Sequence, residues 1–310
     1  MKGKEGGACG QPHVHAHEGR LIHQGRQAES GTVDRRQNGS HVLLAETAMP
    51  SPWPYLPLET LDYIVDLLHD ESPALKECCL VSKSWIPRTR RHLFAHIRFY
   101  SADNLKSWKK TFPDPVNSPA YHTHTLFIGC VQFIEEADAE EGSWIQAFSR
   151  VEQLVVNCPW ADLDPTEISL IPFHKFAPTL KSLRVTSLLF PLSQVFKLIC
   201  SLPLLEDLDL IGCDEWAVSD DNLRTPSTVV PLTSPAFTGT LQLHLGMTST
   251  AHRLLDLPNG LHFRKLNLSW HNAEELRWAV MLVVACSGTL ECLDVTHDPD
   301  GAYPASLSHQ

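Results

Sequence analysis

The chain has 310 residues, 36 of them acidic and 25 basic, for a formal net charge of -11. Apolar residues make up 43% and charged residues 20%, enough to build a sizeable core. The acidic balance argues against a general nucleic-acid binder, which needs clustered Lys and Arg, and leaves room for a basic protein partner.

Nine cysteines are scattered through apolar stretches, with no CxxC pair and an odd total. That pattern reads as reduced, mostly buried thiols in a cytoplasmic or nuclear protein. No stretch is long and uncharged enough for a membrane helix. Residues Met1 to Gly10 are glycine-rich and charged, unlike a secretory signal.

Residues 1–48 read as a disordered tail, because they carry too little apolar periodicity to offset their ordering entropy. His13, His15 and His17 alternate as transition-metal ligands can. No further ligand group stands at a spacing that closes a site, so no metal and no cofactor are expected. The change of character at Met49 also fits an upstream extension before the true start.

Residues 49–96 carry helical patterns. Pro57 suits the first position of a helix, and Leu58, Leu61, Ile64, Val65 and Leu68 form one apolar stripe. Ser72 followed by Pro73 reads as an N-cap and first-turn proline opening a second helix. Leu75, Cys78, Cys79 and Val81 are its apolar side. A third element spans Trp85 to Phe94, with Pro87 in its first turn or at a kink and Arg88, Arg90 and Arg91 exposed.

The run Leu56-Pro57-Leu58-Glu59, then Ile64, Leu68, Cys79-Leu80-Val81-Ser82-Lys83-Ser84-Trp85 and Leu93-Phe94, follows one order. It resembles the F-box motif, with its Leu-Pro opening, first-helix isoleucine, Val-Ser-Lys-x-Trp core and closing hydrophobic pair. The resemblance implies docking onto a Skp-type adaptor protein, and through it onto a cullin ubiquitin ligase. It places the adaptor contacts at Leu56, Pro57, Leu61, Ile64, Leu68, Val81, Lys83 and Trp85. Independently, three short helices cannot bury all these apolar side chains among themselves. Either a partner or the remainder of the chain must cover them.

Residues 97–120 read as a connecting segment. From 121 to 298 one pattern recurs, apolar-x-x-Leu-x-apolar, and it accounts for many of the 43 leucines. Its inward pairs are Leu126/Ile128, Leu154/Val156, Leu183/Val185, Leu208/Leu210, Leu243/Leu245, Leu266/Leu268 and Leu293/Val295. Successive leucines lie 28, 29, 25, 35, 23 and 27 residues apart. Periods of this size with one strand per unit mark a leucine-rich solenoid. The expected fold class is α/β: a short all-helical F-box segment, then an irregular leucine-rich-repeat solenoid. Its parallel strands line the concave face and its helices the convex face. Helices are expected at Gln194–Leu202 and Glu274–Cys286, and a third over 142–149. Standard repeats of this family carry Asn or Cys five residues after the strand leucine, and only Cys213 matches. The repeats are therefore degenerate.

On the concave side, the residues following each strand leucine supply the substrate-contact candidates Arg184, Asp209, His244, Asn267 and Asp294. The insert Asp214–Thr240 reads as a binding element or a tolerated loop. The acidic run Glu135–Glu141 reads as a solvated face. A tail, 299–310, follows the last strand. Solenoids need a polar cap, so this end implies a poor cap, further repeats or a covering partner. No nucleophile elbow, phosphate loop, dinucleotide fingerprint or HExxH occurs, and His122 with His124 lacks a third ligand. The chain is thus expected to be no enzyme itself but the substrate-recognition subunit of a Skp/cullin/F-box ubiquitin ligase. Alternatives are a ligase-independent scaffold and, more remotely, an enzyme with an unrecognised site. Residues 97–310 hold 14 basic and 25 acidic side chains, so the negative charge lies in the substrate-reading part and favours a basic partner.

Overall fold

The computed structural model describes residues 57–129, 145–157, 170–186, 192–213, 235–244 and 247–297. The tail 1–48, Leu56, the acidic run 135–141, most of the 214–240 insert and the tail 299–310 lie outside the described residues. The fold is α/β, with eight strands and seven helices among the described residues.

The helices are α1 Leu58–Leu67, α2 Ser72–Val81, α3 Ile86–Leu93, α4 Ala102–Thr111, α5 Leu192–Cys200, α6 Met247–Leu255 and α7 Ala273–Cys286. The strands are β1 His96–Phe99, β2 Thr125–Ile128, β3 Gln153–Asn157, β4 Ser182–Thr186, β5 Asp207–Ile211, β6 Thr240–His244, β7 Lys265–Trp270 and β8 Cys292–His297. They form one sheet in chain order, and each neighbouring pair is parallel.

Register follows from alternation. Ile97, Leu126, Leu154, Leu183, Leu208, Leu241, Leu266 and Leu293 form one row across the sheet, and Phe99 to Val295 form the second inward row. From β1 to β7 these side chains are buried. They share a core with Val195, Leu198 and Ile199 of α5, Ala251 and Leu254 of α6, and Ala279, Leu282 and Cys286 of α7. At the N-terminal end, Trp108 of α4 packs edge-on against Phe94 and Phe99, at centroid distances of 6.0 and 5.9 Å, and parallel to Phe148 at 6.2 Å. These rings, with buried Leu105, seal that end of the core.

A single main-chain device sets the start of each strand. The Ala95 carbonyl accepts the N–H groups of both His124 and Thr125. His124 serves Glu152 and Gln153 in the same way, Glu152 serves Lys181 and Ser182, and Lys181 serves Glu206 and Asp207. Gly239 then serves Arg264 and Lys265, and Arg264 serves Glu291 and Cys292. The junction of β5 and β6 differs. There Glu206 takes only the Gly239 N–H, and Thr240 donates to Asp207 Oδ1 at 2.6 Å. Threonines add struts one layer deeper: the hydroxyls of Thr123, Thr179 and Thr289 donate to the carbonyls of Phe94, Val151 and Phe263. Each such carbonyl lies three residues before an inward strand residue of the preceding unit.

Several sequence expectations shift. The segment 97–120 carries most of β1 and all of α4. The inward pair of β6 is Leu241/Leu243, not Leu243/Leu245, because Leu241 aligns with Leu208 and Leu266. Three alternating leucines fit either frame, and the Asp207–Thr240 bond selects one. The element over 142–149 is a 3-10 turn, Ile145–Ala147, with Ile145 and Phe148 buried. Ser72 begins α2 but makes no capping bond; Glu71 occupies the N-cap position. Pro57 likewise sits one residue before α1, its carbonyl accepting from Thr60 and Leu61.

Gly239 has no room for a side chain, since a Cβ there would collide with Asp207 Oδ1 and lie 3.0 Å from the Glu206 carbonyl. Gly239→Ala is expected to lower unfolding stability by about 1–3 kcal/mol in a denaturant titration, despite the lower entropy it gives the unfolded chain. Asp207→Asn, which keeps an oxygen for the Thr240 N–H, is expected to lose less.

Candidate functional site

Two surfaces collect the residues singled out by the sequence. The first is the unit of α1, α2 and α3. Both α1 and α2 pack on α3. The buried apolar side chains of these three helices are Val65, Leu75 and Cys78. Thr89, fully buried on α3, donates its hydroxyl to the Trp85 carbonyl at 2.7 Å. This small core does not extend into the core behind the sheet.

A polar clasp links α1 to α3. Asp66 of α1 accepts from Arg88 Nε at 2.6 Å, from Arg88 Nη2, and from His92 Nε2 at 2.7 Å. Arg88 is therefore half-buried and paired, where the sequence predicts an exposed side chain. The Arg88 hydrogen bonds, aided by His92, hold the Asp66 carboxyl well below the usual carboxylate range.

What the three helices leave uncovered is apolar. Leu58, Tyr63, Ile64, Leu67, Leu80 and Val81 are exposed, Leu80 by 80% and Val81 by 69%. Of the expected adaptor contacts, Pro57, Ile64, Val81 and Lys83 are exposed, Leu61, Leu68 and Trp85 are half-buried, and Leu56 lies outside the described residues. The expected adaptor contacts do not include Leu58, Tyr63, Leu67 and Leu80, although Leu58 and Leu80 lie inside the quoted motif.

The second surface is the sheet face opposite the helices. Arg184 aligns with Asp209, Gln242 with Asn267, and Asn267 with Asp294, so four of the five expected substrate contacts share one row. His244 does not. It aligns with Ile211 in the next row, and Gln242 takes its place. This follows from the β6 frame.

The centre of this face is a connected cluster. Arg184 Nε donates to Asp209 Oδ2 at 2.5 Å. Asp209 is buried, and its Oδ1 has no hydrogen-bond partner among the described residues. Burial pushes its carboxyl up, against the pull of Arg184. His244 bridges its neighbours, with Nδ1 3.0 Å from Ser269 Oγ and Nε2 2.7 Å from Gln242 Nε2. Burial pushes the imidazole down, which favours its neutral form. At the other end of the face, Arg98 Nη1 donates to Tyr100 Oη at 3.2 Å, and the Tyr100 ring stands 5.0 Å from Phe127. Arg98 and Tyr100 were missed because β1 was not foreseen.

His122 ends a 3-10 turn with its ring 3.8 Å from Tyr121, and His124 Nδ1 lies 3.8 Å from Glu152 Oε1. Among the described residues no group of three His, Cys, Asp or Glu is arranged to hold a metal ion. No described helix is long and apolar enough to cross a membrane.

No family model matches the chain, and no curated protein or solved structure matches it either.

The Asp66 clasp gives a pH dependence of defined sign. A carboxyl depressed in the folded state stabilises above its unfolded value and loses that contribution as pH falls. Asp66→Asn is expected to lower stability at pH 7 by under about 1 kcal/mol, since the pair is one-third exposed. In thermal melts the gap from wild type should narrow as pH falls below about 4. On the open face, Arg184→Met strands the buried Asp209 and is expected to cost about 1–3 kcal/mol in denaturant unfolding. Adding Asp209→Leu should recover most of that loss.

Proposed function

We propose that this protein is an F-box-type substrate receptor. Its three-helix segment holds a Skp-type adaptor, and through it a cullin. The sheet domain, read as an irregular leucine-rich-repeat solenoid, presents its open face to a protein substrate. The assembled ligase supplies the chemistry of ubiquitin transfer, and this chain supplies proximity and specificity.

The observation that carries the reading is the imbalance within the helical unit. Three buried apolar side chains stand against six exposed ones on the same short helices. Surface of that kind is interface material. The exposed residues belong to, or interleave with, the stretch that resembles the F-box. The solenoid reading draws on the one-strand units in chain order and on Cys213. That thiol is buried just past β5, 3.7 Å from the Val185 and Ile211 carbonyls, where the standard repeat has its turn-bonding residue. A basic substrate fits the charge of residues 97–310, which hold 14 basic and 25 acidic side chains.

The test is co-expression of the full chain with a Skp-type adaptor. Wild type is expected to co-purify. Pro57→Ala with Ile64→Asp should weaken binding by about 100-fold or more, because a carboxylate would enter a desolvated contact. A wild-type chain that does not bind, or a double variant that binds as well, removes the proposal. Circular dichroism of the variant separates lost binding from lost folding.

A further inference from the structure

We propose that β8 joins two copies of this chain through a two-fold, antiparallel strand pair. The two ends of the sheet are built differently. At β1 the inward side chains Ile97 and Phe99 are 7% and 2% exposed, sealed by α4. At β8 the corresponding Leu293 and Val295 are 47% and 42% exposed, and all six residues of the strand are exposed. Beside them α7 exposes Leu276, Val280 and Val284, spaced four apart on one stripe. Among the described residues β8 has a strand neighbour on one side only.

The hydrogen-bonding groups of β8 limit the register of such a pair. The Cys292 N–H donates to Arg264, toward β7. Strand alternation then turns the N–H and C=O groups of Leu293, Val295 and His297 to the free edge. A two-fold axis normal to the sheet pairs only residues that point to the same face. Two registers need weighing. One sets Asp294 opposite its own copy, with like charges facing each other. The other sets Val295 opposite Val295, Leu293 opposite His297 and Asp294 opposite Thr296. The second register uses all three edge-facing residues of each strand and lets each Thr296 hydroxyl donate to a carboxylate. It also brings the two α7 stripes together on the helix side, so strand edge and helix face are complementary to themselves in one operation.

Sedimentation equilibrium of the full chain is expected to show a monomer–dimer equilibrium. Val295→Arg places two cations face to face and should weaken dimerisation by about 100-fold or more. The substitution sits at a side chain already half-exposed, and an unchanged thermal melt at low protein concentration confirms folding. Asp294→Asn should leave the association unchanged or slightly weaker. Tighter association of Asp294→Asn overturns the register, since it signals relief of facing carboxylates. A wild-type chain that stays monomeric across the concentration range overturns the dimer, as does dimerisation that appears only after residues 298–310 are removed. The first of these leaves the edge to a different partner, and the second assigns it to the chain's own tail.

Discussion

One main-chain carbonyl per unit, accepting two consecutive N–H groups from the next, fixes where nearly every strand begins. Parallel strands have no hairpin turn to set their register, and each crossover here passes through loops of differing length. Without a fixed start, a slip of one residue would turn every inward leucine to solvent. The ladder from Ala95 to Arg264 removes that freedom. It also explains why spacing can vary. In the observed frame the inward residues from Ile97 to Leu293 lie 29, 28, 29, 25, 33, 25 and 27 residues apart. The loops absorb the differences while the carbonyls hold the register.

The exception at β5–β6 shows how much the ladder carries. There the longest interval returns to the sheet, one main-chain bond is missing, and Asp207 supplies the replacement. Phe237 fills the buried place ahead of β6, 4.9 Å from Phe263, in a left-handed backbone with φ of 45°. It stands four residues before Leu241, whereas Phe263 and Leu290 stand three before their leucines. The extra residue is accommodated by that turn and by Gly239.

What was legible follows the same logic. Periodicity reveals rows of side chains, so six of the seven foreseen strand frames and four residues of the open-face row were readable from leucine spacing. Periodicity does not reveal what stands on a stripe. Leu58 and Ile64 belong to the same apolar stripe as Val65, yet Val65 alone is buried, and only tertiary packing distinguishes them. The first strand does not show in the leucine pattern, because Ile97 and Phe99 replace leucine there and Phe94 also closes the helical motif. Phe94 in fact serves both. It packs on Trp108, and its carbonyl takes the Thr123 hydroxyl. Only Phe94 and Ala95 separate α3 from β1, and Ala95 is the first rung of the ladder. The helical unit is thus tied to the sheet by hydrogen bonds rather than by a linker, as the receptor role proposed above would require for holding two partners at a fixed separation.

The same distinction between rows and contacts reshapes the electrostatic argument. A net charge of -11 concentrated beyond residue 96 invites the picture of an acidic face drawing in a basic partner. Side-chain geometry narrows it. Asp207 is engaged with the Thr240 N–H, and Asp209 is buried against Arg184. Neither offers a free carboxylate to an incoming cation. Asp294 remains exposed on the same row, at the last strand. The centre of the face is then nearly neutral, with amide, hydroxyl and imidazole groups already linked to one another. As the substrate face proposed above, such a surface would discriminate by hydrogen-bond geometry, because an ill-fitting partner leaves buried polar groups unpaired. Net charge governs the approach of a partner over long range. On the receptor reading proposed above, selection at the centre of the sheet would rest on the Gln242–His244–Ser269 chain and on the Arg184–Asp209 pair, whose polar groups a substrate would have to match.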